Sequence, residues 1–163
     1  MSISEPSRKA GIIDFGTIGA RWLLGALFIY TGLEKVWDPV AFLKLVRQYD
    51  LVQTPVLLNS IAAMLPWFEV CCGALLLLGI GVRGTALTLV GILVPFTIVV
   101  WHHALELGMA KSIPFCAVKF DCGCGTGEVY ICTKLMENFG FILLSCWLLN
   151  GRGRRWALSY SLV

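Results

Sequence analysis

Four long apolar segments limit what this chain can fold into. They cover approximately residues 17–37, 56–79, 84–107 and 135–149. A transmembrane helix needs about 20 apolar residues to cross the hydrocarbon core of a bilayer, and the first three segments reach that length. The fourth is shorter and begins close to Glu137 and Asn138, so we expect its helix to start further back, around Val129. The pattern predicts an all-α integral membrane protein, a four-transmembrane-helix bundle with a cysteine-rich loop before the last helix.

The overall composition agrees with a membrane location. Hydrophobic residues make up 58% of the 163 residues and charged residues only 14%, whereas soluble domains have about 45–50% apolar and about 25% charged residues. The net charge of +3 is spread over loops and tails, and no run of Lys and Arg alternates with aromatic residues. We therefore expect a single domain over residues 1–163 that contacts the lipid bilayer and binds no nucleic acid.

The connecting segments predict the orientation of the bundle. Residues 38–55 place apolar side chains at helical spacing among polar ones, which predicts a short helix lying on the membrane surface. Arg152, Arg154 and Arg155 directly follow the last apolar segment, and such clusters concentrate on the cytoplasmic side. We expect both termini in the cytoplasm, a location in the inner (plasma) membrane of a bacterium, and the loop 108–134 on the outer side.

Four cysteines lie close together in that loop: Cys116, Cys122, Cys124 and Cys132. The glycine between Cys122 and Cys124 lets the backbone bend so that the two sulfurs can converge. Three interpretations are open: disulfides that stabilise an extracellular loop, a redox-active dithiol that exchanges electrons with a partner, or a four-thiolate metal site. The C-x-C spacing departs from the C-x₂-C of zinc sites, so we expect no metal.

Glu69 is the charged residue that the pattern places deepest in an apolar segment. It follows Pro66-Trp67-Phe68 and precedes a wholly apolar run. An ionisable group within a transmembrane helix normally faces the bundle interior and marks a functional site. Glu69 is therefore a candidate for a proton relay or for a hydrogen bond to a quinone-like molecule. The alternative is a structural pairing with Arg21, Lys35 or a Tyr hydroxyl.

Three further residues are candidates for binding a cofactor. Lys35 lies at the outer end of the first segment and Tyr30 precedes it by five residues, so the two can share a pocket. The alternative for Lys35 is an anchoring role, because long charged side chains extend to the interface. His102, near the outer end of the third segment, can titrate near neutral pH or bind a ligand. The only other histidine is the adjacent His103, which argues against a haem held between two opposed imidazoles.

Several runs of the sequence resemble the DoxX/MauE superfamily of small membrane proteins. The resemblance covers roughly residues 21–150 and rests on four motifs in order: the run 21–35, Asp38-Pro39 with Phe42, Leu65-Pro66-Trp67-Phe68-Glu69, and Cys122-Gly123-Cys124-Gly125. It implies a four-helix bundle similar to vitamin K epoxide reductase and other disulfide-forming membrane enzymes. The sequence departs from the family pattern at Thr126, which stands where an aromatic residue is usual, and in its two additional loop cysteines.

The resemblance also implies a function and assigns residues to it. Cys122 and Cys124 would form a redox pair, and Glu69 and Lys35 would be core positions of the family. The additional cysteines Cys116 and Cys132 leave room for a structural disulfide. In the resulting redox scheme, Glu69 would handle the proton that accompanies electron transfer. The expected protein is then a membrane-embedded, thiol–disulfide and quinone-linked redox protein acting at the outer membrane face with a membrane or periplasmic protein partner. The alternative is a non-catalytic accessory subunit of a larger membrane complex, with cysteines that serve only as structural disulfides.

Overall fold

The computed structural model describes residues 6–49, 54–121 and 127–150, and helices make up most of them. The described elements are α1 Pro6–Trp37, α2 Pro39–Gln48, α3 Pro55–Leu78, α4 Val82–Lys111, a 3₁₀ turn Phe115–Ala117, β1 Lys119–Asp121, β2 Glu128–Tyr130 and α5 Ile131–Asn150. The four long helices match the four apolar segments. A short helix, α2, occupies the connection where the sequence predicts one.

Two helices extend further than the sequence predicts. α1 begins at Pro6 instead of near residue 17, and α4 continues to Lys111 instead of ending near residue 107. α5 begins at Ile131, close to the expected start around Val129. Helices continue past the apolar segments because polar residues are also good helix formers, and hydropathy alone does not mark where a helix ends.

α1 and α3 are antiparallel and pack closely through glycines. A Cβ atom built on Gly73 would lie 2.6 Å from the carbonyl oxygen of Gly25, and one built on Gly32 would lie 2.9 Å from the carbonyl oxygen of Pro66. Side chains at these positions would force the helices apart. Small residues allow such close backbone approach between helices in membranes.

Arg21 fixes the end of this pair at the C-terminus of α3. Its side chain is buried, and its Nε donates a hydrogen bond to the carbonyl oxygen of Leu76 at 3.1 Å. α3 ends immediately afterwards at Gly79, whose φ of 71° lies in the left-handed region that favours glycine. The Leu76 carbonyl also accepts a hydrogen bond from the backbone N–H of Gly79, so Arg21 adds a second donor at the C-terminal end of α3.

α4 and α5 form the second close helix pair. The two pairs meet over an apolar core that includes Leu24 and Phe28 from α1, Cys72 from α3, Leu89 from α4 and Leu148 from α5. Between the pairs the helices make fewer contacts than within them. The bundle is thus two helix pairs joined by one apolar core.

The loop before α5 is shorter than the expected loop 108–134, because α4 ends at Lys111 and α5 begins at Ile131, and its described part contains secondary structure. It contains a 3₁₀ turn and a two-stranded antiparallel sheet in which Phe120 pairs with Val129. A second apolar cluster lies beneath it and includes Val100, Ala104, Val118 and Ile131. The description as all-α therefore needs a small correction, because this hairpin packs on the outer ends of α4 and α5.

Three of the described helices are long and apolar enough to cross a membrane: α3, α4 and α5. α1 is longer than any of them but is not among these three. Arg21, Glu34 and Lys35 lower its mean hydropathy. The chain is therefore a multi-pass membrane protein, with three spans identified by length and composition.

Candidate functional site

A buried ion pair links α1 to α3. The Nζ atom of Lys35 lies 2.6 Å from each carboxylate oxygen of Glu69, and both side chains are less than a tenth exposed. Side chains on a helix tilt toward its N-terminus. Because α1 and α3 are antiparallel, the side chain of Lys35 tilts inward while that of Glu69 tilts outward, and the two converge. The structure therefore selects Lys35 among the pairings considered for Glu69, and Lys35 does not extend to the interface.

The pairing makes both charges tolerable at this depth. An isolated charge in a low-dielectric interior is strongly disfavoured, whereas a close and well-hydrogen-bonded partner offsets much of that cost. Phe42 of α2 adds a further contact, because Lys35 Nζ lies 5.3 Å from the centre of its ring. The pair therefore lies at a junction of three helices.

An open cleft of about 200 Å³ lies at the outer end of α1 and reaches Lys35. Its lining residues are Glu34, Lys35, Asp38, Ala41, Phe42, Leu45, Asp121 and Gly127. Asp38 shapes one wall, because its Oδ1 accepts a hydrogen bond from the backbone N–H of Ala41 at 2.9 Å and so starts α2. Lys35 of the buried ion pair therefore borders the cleft.

Two of the lining residues come from the cysteine-rich loop. Asp121 ends β1 and Gly127 immediately precedes β2. Cys122 and Cys124, the expected redox pair, belong to residues 122–126 and lie outside the described residues. Asp121 and Gly127, the described residues on either side of this segment, line the cleft together with Lys35.

The other two loop cysteines are joined to each other. Cys116 in the 3₁₀ turn and Cys132 in the first turn of α5 form a disulfide. This bond ties the loop to the outer end of α5. The remaining described cysteines, Cys71, Cys72 and Cys146, are free thiols, and of these Cys72 is buried.

Two expected binding residues lie away from the ion pair. Tyr30 is 51% exposed on the outside of α1. His102 is also exposed, and its Nδ1 lies 3.5 Å from a carboxylate oxygen of Glu106. The structure therefore brings together Lys35 and Glu69 but neither Tyr30 nor His102.

His103 faces inward where His102 does not. Its ring packs edge-on against Tyr49 with centroids 5.0 Å apart, and against Phe120 at 5.9 Å. Adjacent residues on a helix point about 100° apart, so only one of the two histidines can face the loop. The sequence does not show which histidine faces the loop, because the two are adjacent and have the same polarity.

α5 contributes two polar residues that the sequence analysis did not assign to the site. Lys134 and Asn138 are both buried, at 5% and 2% exposure, and lie one turn apart on the inward face. Lys134 Nζ lies 3.2 Å from a carboxylate oxygen of Glu137. Their spacing of four residues within a predicted span was the available signal.

Within the described ranges, no group of three or more His, Cys, Asp and Glu side chains is arranged to hold a metal ion. The chemistry that the described site offers is that of an ammonium, carboxylates and an amide. Such groups hold and move protons and donate hydrogen bonds.

Comparison with known proteins identifies the family. A family model described as methylamine utilisation protein MauE matches residues 13–151, from α1 to the end of α5. No curated protein and no solved structure shows significant similarity to the chain. The match covers most of the sequence, including both residues of the buried ion pair and all four loop cysteines, and the chain therefore belongs to the MauE family.

Proposed function

We propose that this protein is a membrane-embedded thiol–disulfide redox protein that acts at the outer face of the membrane and passes electrons to a quinone. The observation that carries the proposal is the cleft that Lys35, the partner of Glu69, lines together with Asp121 and Gly127. These two residues flank the segment that contains Cys122 and Cys124. The likeness of the C-x-C motif to redox dithiols, and the sequence resemblance to the DoxX group, add support.

The proposed reaction oxidises a dithiol of a partner protein. A partner thiolate attacks the Cys122–Cys124 disulfide and forms a mixed disulfide, and the second partner thiolate then displaces the loop thiolate. The partner gains a disulfide, while Cys122 and Cys124 gain two electrons and two protons as thiols. A quinone restores the loop disulfide by accepting two electrons and two protons, and leaves as the quinol.

Glu69 and Lys35 serve the proton transfer in this scheme. Lys35 lines the cleft and Glu69 lies directly behind it in the ion pair, so protons released from the loop thiols can pass to this pair. A carboxylate and an ammonium 2.6 Å apart can exchange a proton without separating charge in the membrane interior. Glu69 is thus the proton relay of the proposed site.

The proposal includes an orientation. α1 crosses the membrane in addition to α3, α4 and α5, which gives four crossings. Both termini are cytoplasmic, and the loop between α4 and α5 faces the periplasm of a bacterial inner membrane. The arginines after α5 support this arrangement. The Cys116–Cys132 disulfide supports it as well, because disulfides persist in oxidising compartments.

Reconstituted protein gives a direct test of the reaction. We expect wild-type protein in proteoliposomes to catalyse the reduction of decylubiquinone by a dithiol peptide, followed by the absorbance of the quinone. The double variant C122S/C124S should lower this rate at least a hundredfold. The double variant C71S/C146S, which removes two free thiols elsewhere, should retain it. Equal rates for wild-type protein and C122S/C124S would reject the redox function.

A second candidate function is a non-catalytic accessory subunit of a larger membrane complex. The Cys116–Cys132 disulfide favours it, because this bond joins the loop to α5 and gives the outer surface a fixed shape. Purification in a mild detergent distinguishes the two. An accessory subunit elutes with stoichiometric partners and keeps all its disulfides in mild reductant, whereas a redox protein loses the Cys122–Cys124 bond first.

A further inference from the structure

The cleft at the outer end of α1 carries an excess of negative charge. Three carboxylates line it, those of Glu34, Asp38 and Asp121, and all three residues are exposed. Among the described lining residues Lys35 is the one cation, and its ammonium group is already paired with Glu69. The lining of the cleft therefore has a net negative charge.

The charged residues of α2 are divided between two faces of that helix. Asp38, Phe42 and Leu45 follow one another at intervals of three or four residues, so they share a face, and all three line the cleft. Lys44 and Arg47 are exposed on another face and are not among the lining residues. The basic side chains of α2 therefore leave the negative charge of the cleft unbalanced.

The hairpin before α5 adds negative charge at the rim of the cleft. Asp121 at the end of β1 lies directly opposite Glu128 at the start of β2, and both residues are exposed. Like charges that lie directly opposite each other destabilise an antiparallel strand pair. Lys119 of β1 is held over the ring of Tyr130, with its Nζ 4.4 Å from the ring centre. A cation from another molecule would relieve the repulsion between Asp121 and Glu128.

The size and the chemistry of the cleft suit a single basic side chain. Its volume of about 200 Å³ is smaller than the roughly 300–1,000 Å³ of pockets that hold cofactors and drug-sized ligands. Phe42 and Leu45 offer apolar surface to the methylene groups of a lysine or arginine, and the carboxylates accept hydrogen bonds from its charged end. Within the described chain, these carboxylates do not form a group that could hold a metal ion. The occupant that fits is therefore an organic cation.

We propose that this cleft is the docking site for a lysine or arginine side chain of the partner protein, one that lies next to the partner's reactive thiols. This inference rests on the proposed function, which requires a partner dithiol but does not say how the partner is recognised. Asp121 directly precedes Cys122 in the sequence. A basic side chain held in the cleft therefore brings the adjoining partner thiols to the segment that contains Cys122 and Cys124. Complementary charge of this kind determines which partner binds and how fast it associates.

Peptide binding tests the inference without any thiol chemistry. The probe is a short fluorescein-labelled peptide in which lysines flank the serines that replace the reactive cysteines, and the readout is its fluorescence anisotropy with purified protein in dodecyl maltoside. We expect wild-type protein to bind this lysine peptide about tenfold more tightly than the same peptide with glutamates in place of the lysines, and the difference should shrink as salt is added. Equal binding of the two peptides overturns the inference.

Substitutions of the lining carboxylates locate the binding. Glu34→Gln removes one charge at similar size and should raise the Kd of the lysine peptide about threefold. The double variant E34Q/D38N should raise it about tenfold, while asparagine at position 38 preserves the cap of α2. Glu106→Gln is the matched control, because Glu106 is an exposed carboxylate on α4 that does not line the cleft, and its Kd should equal that of wild-type protein. A Kd that is unchanged in E34Q/D38N, or raised as much in E106Q, overturns the inference.

A charge reversal distinguishes docking from damage to the fold. Glu34→Lys should weaken the binding of the lysine peptide further and strengthen that of the glutamate peptide, a gain that loss of structure cannot produce. A variant E34K that binds both peptides as wild-type protein does would contradict the role of Glu34 in docking.

Dithiol forms of the same peptides separate this inference from the redox function. If lysine-flanked and glutamate-flanked dithiol peptides reduce decylubiquinone at the same kcat/KM through Cys122 and Cys124, the redox function stands and the docking inference fails. If the serine peptides bind as expected but C122S/C124S keeps the wild-type rate of quinone reduction, only the redox function fails. Free N-acetyl-lysine amide should bind far more weakly than the lysine peptide, and equally tight binding would assign the cleft to a small amine and overturn the partner assignment.

Discussion

At the scale of single residues, the direction in which a long side chain points decides its role. Lys35 lies two residues before the end of α1, where a lysine commonly extends outward to the interface. It extends inward instead, because Glu69 sits at the depth that an inward-tilted lysine reaches. The sequence shows both charges but not their relative depth, which depends on how α1 slides along α3. The same ambiguity separates His103 from His102.

Replacing one member of the buried ion pair should destabilise the bundle strongly. We expect Lys35→Met to lower the free energy of unfolding by about 3–5 kcal/mol, because Glu69 is left buried without its partner. The double variant K35M/E69L removes both charges and should recover most of that loss. Lys44→Met on the exposed face of α2 is the control and should change stability by less than about 0.5 kcal/mol. Unfolding in mixed micelles measures all three, and equal losses in K35M and K44M would show that the pair contributes little.

At the scale of elements, hydrophobic pattern identifies the long helices but not how they pair. The four apolar segments correspond to α1, α3, α4 and α5. A continuous apolar run of that length, without the alternation of an amphipathic helix or strand, is typical of membrane helices. The close pairing of α1 with α3 depends on Gly25, Gly32 and Gly73, which lie among several other glycines in the sequence. The hairpin before α5 was not predicted either, because strands of three residues are too short to show an alternating pattern.

A pair of glycine substitutions should change stability in opposite directions. Gly73→Ala places a Cβ 2.6 Å from the backbone oxygen of Gly25, so the helices must separate, and we expect a loss of about 1–3 kcal/mol. Gly91→Ala in α4 meets no described atom within 4 Å. It should gain up to about 1 kcal/mol, because alanine favours the helix over glycine. Thermal unfolding in detergent measures both, and a stabilised G73A would contradict the close packing.

At the scale of the whole molecule, the packing of α1 bears on how many times the chain crosses the membrane. Arg21 contacts Leu76 near the C-terminal end of α3, and Lys35 contacts Glu69, which lies in the same C-terminal half of α3. At a rise of about 1.5 Å per residue, the stretch of α1 between these contacts is about 20 Å long. The charged residues that hold α1 against α3 also reduce its mean hydropathy, so hydropathy alone underestimates the ability of α1 to cross a membrane. The proposed topology of four crossings requires that α1 span the membrane beside α3.

Labelling with a membrane-impermeant maleimide tests this count in intact cells. In a background that keeps only Cys116 and Cys132, which are bonded to each other, single cysteines are introduced as Thr54→Cys before α3, Ile80→Cys in the turn after α3, and Ser2→Cys. If α1 crosses the membrane, Ser2→Cys must lie on the side of Ile80→Cys, and we expect both to react only after permeabilisation, whereas Thr54→Cys reacts at once. Ser2→Cys that reacts together with Thr54→Cys would mean that α1 does not cross. Because the comparison uses relative sides, it gives the number of crossings even if the absolute orientation is reversed, and the absolute orientation follows from which pair reacts first.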